Sequence, residues 1–511
     1  MSPITRVDWL VTAIRSGVDA VDNGARWVVG MTPGGSTYVL SKWVFLRALG
    51  VIYLVAFASL WVQIRGLIGP HGIYPTEEFL QLVRQHTTGL DRFRLVPTVF
   101  WLRADALALD LACFAGVACA ALVILNFWPT GNLIVLWALY LSLASVGRIF
   151  LGYQWDVLLL ETGMLAVLLA PRGTASALAV LLLWWLLFRL TFESGIVKLN
   201  SGDATWHNLT ALDYHFWTQP LPTWTAWYVN LLPGWCKKGM VLGTYLFEIG
   251  FPLLIFGPRP VRLVALAGIV FFQLTILGTG NYNFFNLLTI ALGLLLVDDA
   301  AWVRVLPQRL VQTVSADVRG QVLPIAATVT VVGLFTFIFA TIKLWATVLP
   351  RTNPPQWLIA PMVWLEPFRS VNSYGLFRVM TTNRPEIVLE GSDDAQTWKE
   401  YEFRWKPGDP ARRPRFVEPH QPRLDWQMWF AALSSYEYVP WFRSFEARLL
   451  EGSPDVLRLL RSNPFPDHPP RYVRALLYEY RFTTPGEKRS SGAWWTRELV
   501  GAYSPTVSLA R

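Results

Sequence analysis

Apolar residues are not spread evenly along the chain. They gather in runs at about 43–64, 105–128, 131–147, 157–171, 175–199, 239–257, 261–278, 284–297 and 323–349. A hydrocarbon layer about 30 Å thick takes a helix of roughly 20 apolar residues, so the pattern predicts a helical membrane protein of about nine spans. Proline and glycine mark the breaks: Pro33-Gly34-Gly35, Trp128-Pro129, Pro171-Arg172-Gly173, Gly257-Pro258-Arg259-Pro260. Such residues turn the chain where helix geometry cannot continue. Before the first run lies a mixed segment, 1–42, with room for an interfacial amphipathic helix. Two connections are long: 65–104, with a Gly/Pro turn around His71, and 200–237. Past residue 350 charges and prolines become dense. Residues 365–511 read as a soluble domain, with strands expected at Arg378–Thr382, Glu386–Glu390, Trp398–Trp405 and Arg471–Phe482. Helices are expected at Asp425–Leu433, Phe442–Leu450 and Pro454–Arg461. The predicted fold is a polytopic α-helical membrane protein with a soluble C-terminal α+β domain containing a β-sandwich-like part. The membrane domain is placed at 43–350.

Composition supports this division. The 511 residues are 53% hydrophobic and 15% charged, against about 25% charged in an ordinary soluble domain. The net charge of +9 falls on loops and helix ends, where arginine meets anionic headgroups, and no zinc spacing or aromatic-basic pattern points to nucleic acid. Arg172, Arg259, Arg262, Arg304, Arg309 and Arg319 share one side of a nine-span arrangement. Short basic loops face the cytoplasm, so 65–104, 200–237 and the C-terminal domain are placed on the opposite side. Cys113, Cys119 and Cys236 suggest no disulfide: the first two lie six apart in one helix, a poor geometry for a bridge. Residues 1–41 lack the compact apolar core of a cleaved signal, which leaves targeting to the first span.

The most informative stretch is 184–222, WWLLFRLTFESGIVKLNSGDATWHNLTALDYHFWTQPLP. Ionisable residues inside spans are costly and mark either function or a packing network. Arg189 and Glu193 sit four apart on one helix face and can pair; Lys198 ends the helix; Glu161 and Glu248 lie within other spans. Together Glu161, Arg189, Glu193 and Glu248 form a candidate intramembrane polar cluster. The loop beyond supplies Trp206, His207, Asp213, His215 and Gln219, either as acid–base groups or as packing groups. His207 and His215 are eight apart, not a metal-ligand spacing, and no metal is expected. G-x-S-x-G, Walker and H-E-x-x-H motifs are absent from the sequence, so hydrolase, ATPase and zinc-protease readings lack their markers. In the C-terminal domain Arg423, Asp425, Trp426, Trp429 and Phe430 form a dense aromatic-charged motif. Part of it is expected as core and part as a client surface, since Trp, Tyr and Arg dominate binding hot spots.

The run GIVKLNSGDATWHNLTALDYHFWTQPLPTWTAWY resembles the lipase maturation factor family. So do Gln154-Trp155-Asp156-Val157-Leu158-Leu159-Leu160-Glu161, the motif from Tyr374 to Thr382, that from Pro419 to Leu433, Asn463-Pro464-Phe465 and Tyr478–Phe482. The resemblance runs from about residue 43 to about 505. It implies a role in folding and assembly of secreted lipases, with membrane lipid and a secreted lipase or other client protein as partners, no nucleic acid and no cofactor. It also implies a soluble C-terminal domain of the lipase maturation factor type.

Ser194-Gly195-Ile196-Val197-Lys198-Leu199 further resembles the membrane domain of the vitamin K-dependent γ-carboxylase and HTTM proteins. That implies an alternative: a membrane enzyme acting on a lipid or quinone, with Lys198 as base. The carboxylase motif has adjacent lysines, whereas position 197 here is valine. EIVLEGSDDAQTWKEYEF resembles a strand-turn-strand piece of discoidin-like β-sandwiches. The expected location is an integral membrane one, the endoplasmic reticulum membrane in a eukaryote or the cytoplasmic membrane in a bacterium. The excess of arginine over lysine, and a final Ser508-Leu509-Ala510-Arg511 without a retention signal, suit the bacterial case.

Overall fold

The computed structural model describes residues 3–31, 37–316, 322–352 and 354–509; Pro33-Gly34-Gly35 and Arg319 lie outside them. Seven helices are long and apolar enough to cross a membrane: Val39–Trp61, Ala106–Ile124, Pro129–Leu151, Ala177–Asn200, Gly234–Phe256, Arg259–Thr279 and Leu323–Val348. The other two predicted runs are helical but short. Gln154–Leu169 has 16 residues, about 24 Å at 1.5 Å per residue, less than the hydrocarbon thickness. Phe285–Leu296 bends by 107° into Asp299–Val305 and passes as a span only if the bent pair is counted as one. Among the described residues the count is therefore seven, or up to eight, rather than about nine. Both short helices lie in the middle of the bundle, where neighbouring helices rather than lipid surround them, so their length is not set by the bilayer. The segment Pro3–Val29 is a single helix anchored at its far end by Ala25 and Val29.

Each end of the bundle is fixed by polar contacts. At one end the Asp299 carboxylate accepts from the backbone N–H groups of Val39 and Leu40, both at 2.8 Å. It thereby caps the Val39–Trp61 helix at its positive end. Lys42 Nζ donates to Pro171 O at 2.6 Å and Arg262 Nε to Leu296 O at 2.9 Å. At this end Arg172 sits in a bend, Arg259 opens the helix Arg259–Thr279 and Arg304 lies in the short helix Asp299–Val305. At the other end, 65–104, 200–237 and the C-terminal domain meet. Ser453 Oγ donates to His71 O at 2.7 Å, and Trp227 Nε1 to Thr483 O at 2.9 Å. Between the two parts, the apolar helix Gln356–Leu365 leaves Trp357 and Trp364 exposed, as suits a helix at the headgroup level.

The C-terminal domain is built on a four-stranded antiparallel sheet in the order Lys399–Glu400, Pro385–Ser392, Tyr472–Phe482, Trp495–Val507. Every residue of Pro385–Ser392 is buried. Helices Arg423–Ala432 and Pro440–Leu450 pack on this sheet. A second sheet pairs only Glu402–Phe403 with Leu460–Ser462. The domain is thus α+β, but no closed β-sandwich forms among the described residues. Helices, not a facing sheet, bury the apolar side. The expected strand Arg378–Thr382 is irregular chain, because it crosses between membrane domain and sheet with no neighbouring strand edge.

Candidate functional site

The Ala177–Asn200 helix carries three ionisable residues to the end of the bundle that meets the C-terminal domain. Arg189 and Glu193 do not pair with each other. Arg189 Nη2 donates to Glu161 Oε1, and Nη1 donates to Asn372 O at 2.8 Å. Glu161 Oε2 accepts from Asn372 N at 2.8 Å and from Tyr374 Oη at 2.8 Å. Glu193 Oε2 accepts from Tyr374 N at 2.6 Å. All four side chains are buried. This part of the predicted polar cluster is a clamp on Asn372–Tyr374, where the C-terminal domain begins. The anchoring groups are backbone amides far along the chain, which helix spacing could not announce.

Lys198 and Glu248 make a separate pair. Lys198 Nζ lies 2.9 and 2.8 Å from the two Glu248 oxygens and 3.0 Å from Ser194 O. Those three contacts occupy all three hydrogens of an ammonium. The Trp206 ring lies 5.4 Å away. Glu248 is presented by a π-helical turn, Leu246–Gly250. Pro252 accounts for it: lacking an N–H, it leaves the Glu248 carbonyl without the usual fourth-residue donor, and the helix rewinds there.

The loop residues are ordered by the same neighbourhood. Trp206 is buried and donates from Nε1 to Phe377 O at 3.0 Å. His207 is exposed, with Nε2 3.1 Å from Leu199 O. Asp213 pairs with Lys237 at 2.8 Å. His215 packs edge-on to Phe377 with centroids 4.8 Å apart, and burial pushes its imidazole down to about 4. Gln219 accepts from Tyr282 Oη at 2.8 Å and donates to Thr279 O at 2.8 Å. Arg384, which the sequence reading did not single out, donates to the carbonyls of Trp217, Gln219 and Pro220 at 2.8, 2.5 and 3.0 Å. The Asn281-Tyr282-Asn283 turn also reaches across: Asn281 Nδ2 donates to Arg415 O at 2.9 Å, and Asn283 Nδ2 to Gln421 Oε1 at 2.7 Å.

The C-terminal motif is largely spent inside the molecule. Arg423 reaches down to Asp156, with Nη2–Oδ1 2.8 Å and Nη1–Oδ2 3.0 Å, and donates to Phe150 O at 2.5 Å. Tyr140 Oη donates to Asp156 at 2.6 Å. Burial pulls the guanidinium down, but the Asp156 carboxylate holds it above its ordinary value. Asp425 accepts from Trp405 N and Lys406 N at 2.8 and 2.9 Å. Trp426 packs edge-on to Trp155, centroids 4.7 Å apart, and Trp429 Nε1 donates to Thr218 O at 2.8 Å. Of the five motif residues, Phe430 is the exposed one, at 43%.

A second aromatic group lies at the surface, with Tyr228 and Phe416 exposed and Trp224 and Trp494 half-buried beside them. Trp224 and Tyr228, one turn apart in helix Trp224–Asn230, are 6.0 Å from centroid to centroid. Trp224 lies 6.1 Å from Phe416, and Tyr228 lies 6.4 Å from Trp494. Lys488 Nζ is 3.0 Å from the centre of the Trp494 ring, and Arg413 is 5.8 Å from that of Trp224. Connection 200–237 and the C-terminal domain therefore share one aromatic, cation-bordered surface. Its residues lie 250 or more positions apart in part, and only the Trp-rich composition of the connection hinted at it.

The lipase maturation factor transmembrane domain matches residues 40–304, and the lipase maturation factor C-terminal domain matches residues 370–505. Lipase maturation factor 2 of Homo sapiens is 38% identical over 92% of this chain and 83% of its own length. The Gallus gallus protein of the same name is 39% identical over 91% of this chain and 81% of its own. Lipase maturation factor 1 of Bos taurus is 34% identical over 92% and 90%. No solved structure matches the chain.

Proposed function

The chain belongs to the lipase maturation factor family, and on that premise we propose that it is an integral membrane factor for the maturation of secreted lipase-type proteins. The client is held on the surface that connection 200–237 and the C-terminal domain build together. The observation that carries this reading is the Trp224–Tyr228–Phe416–Trp494 patch with its bordering Arg413 and Lys488. Aromatic and arginine side chains are enriched among the residues that dominate protein recognition, and Tyr228 and Phe416 stand exposed on half-buried tryptophans, as apolar groups at interaction sites do. The membrane domain serves as the base: its buried ion pairs hold the two client-facing parts in one fixed relation. No covalent step on the client enters this reading. The compartment is the endoplasmic reticulum membrane in a eukaryotic cell and the cytoplasmic membrane in a bacterium.

Photo-crosslinking tests it. A photoreactive residue at Tyr228 or Phe416 is expected to capture a co-expressed secreted lipase before it acquires activity, whereas one at the lipid-facing Phe335 is not. Equal capture at all three positions, or none at the first two, removes the reading.

A second reading, a membrane enzyme acting on a lipid or quinone, has one observation in its favour: Lys198 lines a large apolar cavity. Against it, Lys198 offers no free lone pair while it is bound to Glu248 and Ser194. A Lys198→Gln/Glu248→Gln double change keeps a hydrogen-bonded pair but removes any base. Full lipase maturation by that variant excludes Lys198 chemistry from the role.

A further inference from the structure

Between the membrane helices and connection 200–237 lies a half-open cavity of about 580 Å³. Its walls come from the helices Ala177–Asn200, Gly234–Tyr245, Arg259–Thr279 and Phe285–Gly293, from Trp206, His215, Phe216 and Thr225 of the connection, and from Phe377. Packing explains why there is room. At Gly268 a Cβ would fall 2.0 Å from the Phe251 ring, so the helix Arg259–Thr279 is pressed against Phe251–Leu253 at that level. Nearer the C-terminal domain the constraint is gone: a Cβ at Gly278 meets nothing within 4 Å, and one at Gly243 only Phe247, at 4.0 Å. Both glycines line the cavity. At its edge Phe271 and Met240 are exposed to the lipid-facing side.

The polar groups in the wall fall into two sets. Lys198 is bound to Glu248, Tyr282 Oη to Gln219, and Thr289 Oγ1 to Phe285 O. Asn286 differs. It is wholly buried, and among the described residues neither its Oδ1 nor its Nδ2 has a hydrogen-bond partner. Gln273, 5% exposed, likewise has an unpartnered Oε1. Native interiors rarely leave such groups unmatched, because the desolvation is then uncompensated. Two acceptors and one donor on lining residues are thus left unmatched in a wall that is mostly apolar. Lys198 and Glu248 are the charged residues of the lining, and they neutralise each other. An ionised head would therefore enter without a countercharge, which a dry site penalises. The volume lies within the roughly 300–1,000 Å³ of pockets that hold one small molecule.

We propose that this cavity binds a single uncharged lipid whose head carries both hydroxyl and ester carbonyl groups, of the monoacylglycerol class. The carbonyl accepts from Asn286 Nδ2. The hydroxyls donate to Asn286 Oδ1 and Gln273 Oε1. The chain occupies the space beside Gly243 and Gly278, bounded by Phe247, Phe272 and Ile276. This concerns a bound small molecule rather than the client, and it stands or falls apart from the maturation role.

The experiment uses the full chain in phosphatidylcholine nanodiscs and a 1-acylglycerol bearing a diazirine in its chain. After irradiation, adducts are mapped by mass spectrometry. They are expected within 232–247 and 271–289, to be competed by 1-oleoylglycerol, and to persist in the presence of oleate. Gly278→Leu and Gly243→Leu each place a side chain in the space and are expected to cut labelling about tenfold or more, with the thermal melt unchanged. Asn286→Leu is expected to cost about tenfold, the value of one lost hydrogen-bonding group. Adducts spread equally over lipid-facing Leu111 and Phe335 would overturn the proposal. So would parental labelling in both glycine variants, or oleate competing as well as 1-oleoylglycerol. Lipase maturation scored on the same variants separates the two claims: labelling lost with maturation retained touches only the role of the lipid.

Discussion

Arg423 offers the sharpest test of how the C-terminal domain is held. Its guanidinium makes two hydrogen bonds to Asp156 and one to Phe150 O, and both ionic partners are at most 1% exposed. Changing Arg423→Met strands the Asp156 carboxylate among Tyr140 and the helix start. Breaking one half of a buried ion pair costs about 3–5 kcal/mol, equivalent to a hundred- to several-thousand-fold change in an equilibrium. The loss falls on docking of the C-terminal domain, because Asp156 belongs to the membrane domain and Arg423 to the C-terminal one. Hydrogen exchange of the full chain in nanodiscs reads it directly: the amides of Tyr374 and Gln421, both bonded to membrane-domain side chains, are expected to exchange faster by that factor. A double change, Arg423→Met with Asp156→Leu, is expected to recover half or more of the loss, since an apolar pair of similar volume avoids the desolvation of both charges. Parental exchange at Tyr374 and Gln421 in the single variant would refute the reasoning.

His420 gives a pH prediction. Ser59 Oγ lies 2.8 Å from its Nδ1, and burial pushes the imidazole down to about 4. An unfolded histidine titrates near 6.5. The folded state therefore refuses a proton that the unfolded state takes up, so this contribution is complete above about pH 6.5 and is lost as pH falls toward 4. A His420→Asn variant is expected to show a flatter melting temperature between those values than the parent; an unchanged slope contradicts it. Gly163→Ala places a Cβ 1.9 Å from Tyr53 Oη and is expected to cost about 1–3 kcal/mol through overpacking, seen as a lowered melt. Adding Tyr53→Phe removes the clashing atom and restores most of it, unless the clash is not the cause. Serine at Trp224, Tyr228 and Phe416 together is expected to leave the melt unchanged and to weaken lipase capture about tenfold or more per hot-spot residue.

The apolar runs were legible because a bilayer writes its thickness into sequence. All nine form helices, yet two fall short of a span, since an interior helix obeys its neighbours and not the lipid. Partner choice was far less legible. The spacing of Arg189 and Glu193 says only that they can meet; the chain instead uses Glu161, 28 positions away, and the backbone at Asn372–Tyr374. Arg423 and Asp156 are 267 apart. Trp426 and Trp429 read as either surface or core, because aromatic composition carries no direction; the fold turned them inward and exposed Phe430. Asn281–Asn283 read as a turn, which it is, while its second task of holding Arg415 and Gln421 depended on chain more than 130 residues later. A β-sandwich was suggested by strand-turn-strand patterning that is local, whereas what covers a sheet is decided at long range.

One measurement bears most directly on the claim that a fixed, aromatic surface matures a lipase without chemistry at Lys198. In cells deprived of their own lipase maturation factors, the activity of a secreted lipase is scored per unit of lipase protein released. The parent chain and the Lys198→Gln/Glu248→Gln variant are expected to restore that activity, and the Trp224, Tyr228 and Phe416 serine variant to fail. Full activity with the serine variant and none with the glutamine pair would contradict the account.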